Sequence, residues 1–129
     1  MRQTVALFGE AERGEFHKPH YCKNLGELER SLGHPPEQSR GLYFAIQALL
    51  YNRFLIYYRV PEEGFSSDAY HRGLQMLRKQ ESDARLAAIG LPGVGDAEVI
   101  DASLPLCERH HSLLLFTEAD LYDYLTSWA

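Results

Sequence analysis

Residues 39–60 read SRGLYFAIQALLYNRFLIYYRV. Leu42, Ala45, Ile46, Leu49 and Leu50 recur at i, i+3, i+4, i+7 and i+8, which gives one firmly apolar helix face. The spacing predicts a helix opened by Ser39 and ended by Asn52. Residues 54–60, FLIYYRV, are aromatic or β-branched at many positions and are closed by Pro61, so they predict a strand. A strand apolar along its length needs cover on both faces, and helices next to it in the chain can supply that cover.

The same alternation extends in both directions. Thr4 to Phe8 reads as a short buried strand ended by Gly9. Residues 10–20 hold Gly14 and Pro19 and read as loop, with a short extended piece at Tyr21 and Cys22. Asn24 is an N-cap with Glu27 three residues on, a capping-box pattern ahead of Leu25, Leu28 and Leu32; Gly33 stops that helix and Pro35-Pro36 forbid its continuation. After the central strand, Ser67 caps a helix with Tyr70, Leu74 and Leu77 on one face. Leu86 to Ile89 is a further buried strand, ended by the Leu91-Pro92-Gly93 turn. Asp96 caps a helix carrying Val99, Ile100, Leu104 and Cys107, where Pro105 argues for a kink or for a different assignment of the segment. Ser112 to Phe116 reads as a strand, and Thr117 with Asp120 caps a last helix ending near Trp128. This order predicts one α/β domain over 1–129, three layers deep, with a mostly parallel central sheet of about four or five strands flanked by helices.

Composition narrows the function. The chain has 129 residues, 45% of them apolar, with eight Tyr and six Phe, which is enough for a core without disulfides or metal. Thirteen basic against eighteen acidic side chains leave a net charge of −5, which repels phosphate backbones and argues against nucleic-acid binding. The N-terminal segment lacks the apolar stretch of a signal peptide, and runs such as Leu113 to Phe116 are too short to cross a bilayer. The expectation is a cytoplasmic protein without membrane contact, with Cys22 and Cys107 as free thiols.

Candidate chemistry is thin. Gly9 to Gly14, GEAERG, has the G-x-x-x-x-G spacing of a phosphate turn, but no Lys-Ser/Thr follows and Glu10 and Glu12 would repel phosphate. His17, His20 and Cys22, and Cys107, His110 and His111, are zinc-ligand types in spacings that match no zinc motif; solvated loops or a helix C-terminus explain them as well. No G-x-S-x-G elbow occurs, and the Glu62-Glu63 pair reads as a solvated turn. Tyr43, Tyr51, Phe54, Tyr57 and Tyr58 concentrate aromatic area; core packing takes most of it, and an exposed remainder suits a protein contact. No enzyme activity, cofactor or metal is expected.

The order of motifs carries a resemblance. VALFGEAERG is followed by Pro19, a Leu-rich helix ending LGHPP, the RGLYFAIQALLYNR helix and the strand LIYYRV; GLQML and the ARLAAIGLPGVGDAEVIDASLPLCERHHSLLLF stretch follow. This pattern, over residues 4–120, resembles the core domain of contractile tail sheath proteins of phages and related injection machines. It rests on Gly9, Arg13, Gly14, Pro19, Gly33, Arg59, Val60, Pro92, Gly93 and Asp96. The resemblance implies a non-enzymatic structural protein of a phage-tail-like assembly, with protein partners such as tail or sheath subunits, and leaves a homo-oligomer open. On it, Gly9, Gly14, Pro19, Gly33, Pro92 and Gly93 are structural turns, and Arg13, Tyr57 and Arg59 are candidate interaction residues. Two departures stand out. Sheath proteins carry a long insertion after the Arg-Val strand, where this chain has only residues 61–72 before Gly73, and they add a C-terminal arm that donates a strand to a neighbour. A core lacking that arm is expected to serve as a cap, an adaptor, an accessory tail protein or a domain put to another use. The alternative is a small-molecule or nucleotide-binding module with a pocket lined by Gly9 to Arg13 and Gly93 to Asp96; a zinc enzyme using His20, Cys22, Cys107 and His111 is the third reading.

Overall fold

The computed structural model describes residues 3–79, 86–115 and 118–126. Five strands form one sheet: β1 (Thr4–Gly9), β2 (Pro19–Cys22), β3 (Phe54–Arg59), β4 (Leu86–Gly90) and β5 (Leu113–Leu115). The described residues also hold five helices: α1 (Leu25–Leu32), α2 (Gly41–Leu50), α3 (Ser67–Lys79), α4 (Ala97–His110) and, after the last strand, α5 (Glu118–Thr126). The strand order is β2-β3-β1-β4-β5. All neighbours pair in parallel except β2, which runs antiparallel to β3 with Tyr21 opposite Ile56. The mostly parallel three-layer sheet is therefore as expected, with the short extended piece at Tyr21–Cys22 becoming its antiparallel edge.

The central strands explain why they read as unbroken apolar runs. On β1, Ala6 and Phe8 face one core while Val5 and Leu7 face the other; on β3, Ile56 and Tyr58 oppose Leu55 and Tyr57 in the same way. One core is closed by α3 and α4 through Tyr70, Leu74, Leu77, Val99, Ile100 and Leu106. The other is closed by α1 and α2 through Leu28, Leu32, Leu42, Ala45 and Leu49. Each of these strand residues is buried whichever way it points, so the alternation of a half-exposed strand is absent.

Local boundaries mostly follow their caps. The Asn24 side chain accepts the Glu27 N–H at 2.9 Å, and the Glu27 carboxylate reaches back to the Lys23 N–H at 2.7 Å. Gly33 ends α1 at φ 77°, and its N–H bonds the Glu29 carbonyl. Asp96 caps α4 through the Glu98 N–H at 2.8 Å. Pro105 does not break α4, which runs through to His110. One cap differs from expectation. α2 begins at Gly41 behind Arg40, whose side chain makes no cap bond, and Ser39 stands outside the helix with its hydroxyl buried and unpaired. Asp120 accepts the Gly93 N–H at 2.8 Å; Thr117, its partner in the expected cap, and Phe116 and Trp128, the other residues named for the C-terminal strand and helix, lie outside the described residues. Among the described residues no helix is long and apolar enough to cross a membrane.

Candidate functional site

Strand order decides where a site could form. The chain passes from β1 to β3 on one side and then returns to place β4 on the other side of β1. In a doubly wound sheet, ligands enter the crevice at the carboxyl ends of the strands where the order reverses. Here that region gathers Glu10 after β1, Glu62 and Glu63 after β3, Gly93 after β4, Arg40 before α2 and Asp120 on α5 around a cleft of about 400 Å³.

Three backbone N–H groups converge in this region, and a side chain of the protein takes all of them. Glu63 accepts from Glu10 at 2.8 Å and from Gly41 at 3.1 Å through Oε2, and from Arg40 at 2.9 Å through Oε1. The Arg40 and Gly41 groups are the first orphan donors of α2, and the Glu10 group sits in the turn that ends β1. Such an arrangement of amides at a helix start is the one that seats phosphate in nucleotide-binding folds. In this chain Glu63 fills it and serves as the cap that α2 lacks in its own sequence. The Glu62-Glu63 pair is thus not a plain solvated turn: Glu62 is exposed, while Glu63 is half-buried and hydrogen-bonded at both oxygens.

The surroundings lock that arrangement. Glu10 returns the contact, accepting the Glu63 N–H at 3.0 Å. The Tyr57 hydroxyl donates to the Glu10 carbonyl at 2.9 Å, and the Tyr70 hydroxyl accepts the Gly64 N–H at 2.9 Å. Burial pushes both phenols up, the Tyr57 phenol well above its ordinary value, and the nearby Glu63 carboxylate adds to each shift. Gly9 and Gly41 let the end of β1 and the start of α2 touch: a Cβ on Gly41 would stand 2.7 Å from the Gly9 Cα and collide with the Tyr57 hydroxyl. The two glycines thus give access for a carboxylate from within the chain.

The other predicted residues fall elsewhere. Arg13 bonds the carbonyls of Glu29 at 2.6 Å and Arg30 at 3.3 Å, at the end of α1. Arg59 donates to the Gly14 carbonyl at 2.6 Å and lies over the Phe16 ring, 4.3 Å from its centroid. Tyr57 has no exposed surface, so it offers none to a partner. Gly14 and Gly93 hold φ values of 106° and 86° in their turns, and Pro92 is buried beside Gly93. Pro19 starts β2 opposite Tyr58.

The histidine and cysteine clusters do not meet. Cys22 lies in the core under α1 and α2, and Cys107 lies in the core under α3 and α4, on opposite faces of the sheet. His20 contacts the Glu15 carbonyl at 2.9 Å, and His110 Nδ1 accepts the Leu86 N–H at 3.4 Å. Among the described residues no group of three or more His, Cys, Asp or Glu is arranged to hold a metal ion. Burial raises both thiols, that of Cys22 to about 11.

Comparison with protein-family models, with curated proteins and with solved structures returned no match. What remains is the chain's own surface, and α2 is its most unusual part. A helix apolar on all sides belongs inside a protein. Yet α2 buries Leu42, Ala45 and Leu49 in the core, packs Phe44, Ile46 and Ala48 partly against it, and leaves Tyr43 59%, Leu50 66% and, at its C-cap, Tyr51 74% exposed. With Gln47 these residues form an uncharged outer stripe at i, i+4, i+7 and i+8. The aromatic concentration read from the sequence divides here: Tyr57 and Tyr58 go inward, Tyr43 and Tyr51 outward.

Proposed function

We propose that this chain is a non-enzymatic assembly domain that acts through protein–protein contacts, in the manner of the tail-sheath core that its sequence resembles. One observation carries the reading: the outward stripe of α2 exposes two tyrosines and a leucine on a helix with no charged side chain. Tyrosine-rich, uncharged patches have the composition of the buried centre of protein interfaces. The carboxyl-end crevice supports the same reading, because Glu63 occupies the amides that a phosphate would need. A nucleotide would have to displace a carboxylate held by three hydrogen bonds and enter a cleft rimmed by further acids.

The test is site-specific photo-crosslinking in the cell that makes the protein. A photoreactive phenylalanine at Tyr43 or Tyr51 is expected to yield a discrete adduct with a protein partner, while the same group at exposed Arg72 on α3 yields none. Equal, diffuse labelling at all three positions would overturn the proposal.

A further inference from the structure

A second surface is charged, and its charges are divided between the two ends of the sheet. α3 and α4 both run from the carboxyl ends of the strands back to the amino ends. Their last turns bring Arg78, Lys79 and Arg109 to the amino end, where with Gln75 they line a cleft of about 450 Å³. Arg109 donates to the Arg78 carbonyl at 3.3 Å, which ties the two helix ends together. Among the described residues the ion pairs are Arg13–Glu12 and Lys18–Glu15, so none of the three cations is paired with a carboxylate of the described residues. Two helix C-termini point the same way, but each carries only about half a negative charge, against three full positive ones. On a chain of net charge −5 this is a concentrated exception.

The opposite end is its complement. Around the carboxyl-end cleft stand Glu10, Glu37, Glu62, Glu63 and Asp120 against one cation, Arg40. Glu10, Glu63 and Asp120 are spent on backbone N–H groups. Glu37 and Glu62 are exposed on the rim beside Phe65, which is itself 79% exposed. Every copy of the chain therefore presents a basic cleft at one end of its sheet and an acidic rim with an exposed aromatic ring at the other.

We propose that the Arg78–Lys79–Arg109 cleft is the docking site for the Glu37–Glu62 rim of a second copy of this chain, joined head to tail. Charge complementarity selects the occupant, since the partner surface is carried by the same molecule. The contact is heterologous: each copy uses both ends, so repetition produces rings or open filaments rather than a closed two-fold dimer. It deepens the assembly reading given above and rests on it, but it uses a surface separate from the α2 stripe, so the two can fail independently.

The test uses two charge-reversal variants of the full chain, Arg78→Glu with Lys79→Glu, and Glu37→Lys with Glu62→Lys, in sedimentation velocity at low and high salt. All four positions are exposed, so both variants are expected to keep the wild-type melting temperature. Wild type is expected to self-associate at low salt and to dissociate as salt screens the contact. Each variant alone is expected to associate at least about tenfold more weakly, and an equimolar mixture of the two to regain association, because the reversed cleft of one meets the reversed rim of the other and their unaltered ends form the original contact. A wild-type monomer at all concentrations in low salt would overturn the proposal. So would association that survives both reversals. Photo-crosslinking at Tyr43 and Tyr51 would then still report separately on the α2 surface.

Discussion

Glu10 and Glu63 hold each other reciprocally: the carboxylate of each accepts the backbone N–H of the other, at 3.0 Å and 2.8 Å. This exchange joins the turn after β1 to the turn after β3. Because the Glu63 carboxylate also takes the first N–H groups of α2, it closes three elements at the end of the sheet where a ligand would otherwise enter. Several consequences of that closure can be measured.

Glu63→Ala leaves three N–H groups without their acceptor and is expected to destabilise the chain by about 3 kcal/mol in urea unfolding, with Glu63→Gln losing less. The vacated amides should then accept a free anion. Added phosphate is expected to raise the melting temperature of Glu63→Ala and to leave wild type unchanged. Equal phosphate response in the two proteins would mean that Glu63 does not fill an anion seat.

Gly41→Ala forces a Cβ against both the Gly9 backbone and the Tyr57 hydroxyl, and overpacking of this kind costs about 2 kcal/mol. Tyr57→Phe alone should cost about 1 kcal/mol through the lost bond to the Glu10 carbonyl. Combined with Gly41→Ala, the same change removes one of the two collisions, so the double variant is expected to be more stable than the sum of the singles. Strict additivity in a denaturation cycle would contradict the packing described here.

Alkaline stability follows from the buried phenols. Folding raises Tyr57 and Tyr70 above their unfolded value, first through burial. The unfolded chain therefore releases these protons at a lower pH than the native chain. Their contribution to stability is whole below the ordinary tyrosine value of about 10 and is lost as pH rises above it. Tyrosinate absorbance is expected to appear together with loss of secondary structure, and Tyr70→Phe to lessen the pH dependence. Ionisation of all eight tyrosines ahead of unfolding would contradict the burial of these rings.

Leu50→Lys and Tyr51→Lys fall on the exposed stripe and should change unfolding free energy by no more than about 0.5 kcal/mol while abolishing the adducts expected at Tyr43. A large loss of stability would show that the stripe is packed within the chain and is not a free surface.

The architecture was legible where physics is local. FLIYYRV reads as a buried strand because Leu55 to Tyr58 and Val60 each meet a core on one face or the other. Asn24, Glu27 and Asp96 announce their helices because a cap bonds within three residues of itself. The site was legible only in part. Ser39 has the side chain of a cap but does not act as one, because Glu63, far along the chain, reaches the same N–H groups first. Nothing near Glu63 distinguishes it from its exposed neighbour Glu62; the difference arises only when β1 and β3 pair and bring the Gly9 turn, the start of α2 and the Glu63 turn together. Tyr57 and Tyr43 likewise look alike in sequence, and strand register and helix phase send one inward and the other out.

The central claim is that the carboxyl end of this sheet is closed by the protein's own carboxylate, the observation that supports the proposal of a protein acting through its surfaces. The most direct measurement is a two-dimensional ¹⁵N–¹H NMR titration with phosphate and then with ATP, following the amides of Glu10, Arg40 and Gly41. The account predicts that these resonances stay in place through millimolar ligand. Saturable shifts at these three amides would contradict it and would make the crevice a nucleotide site.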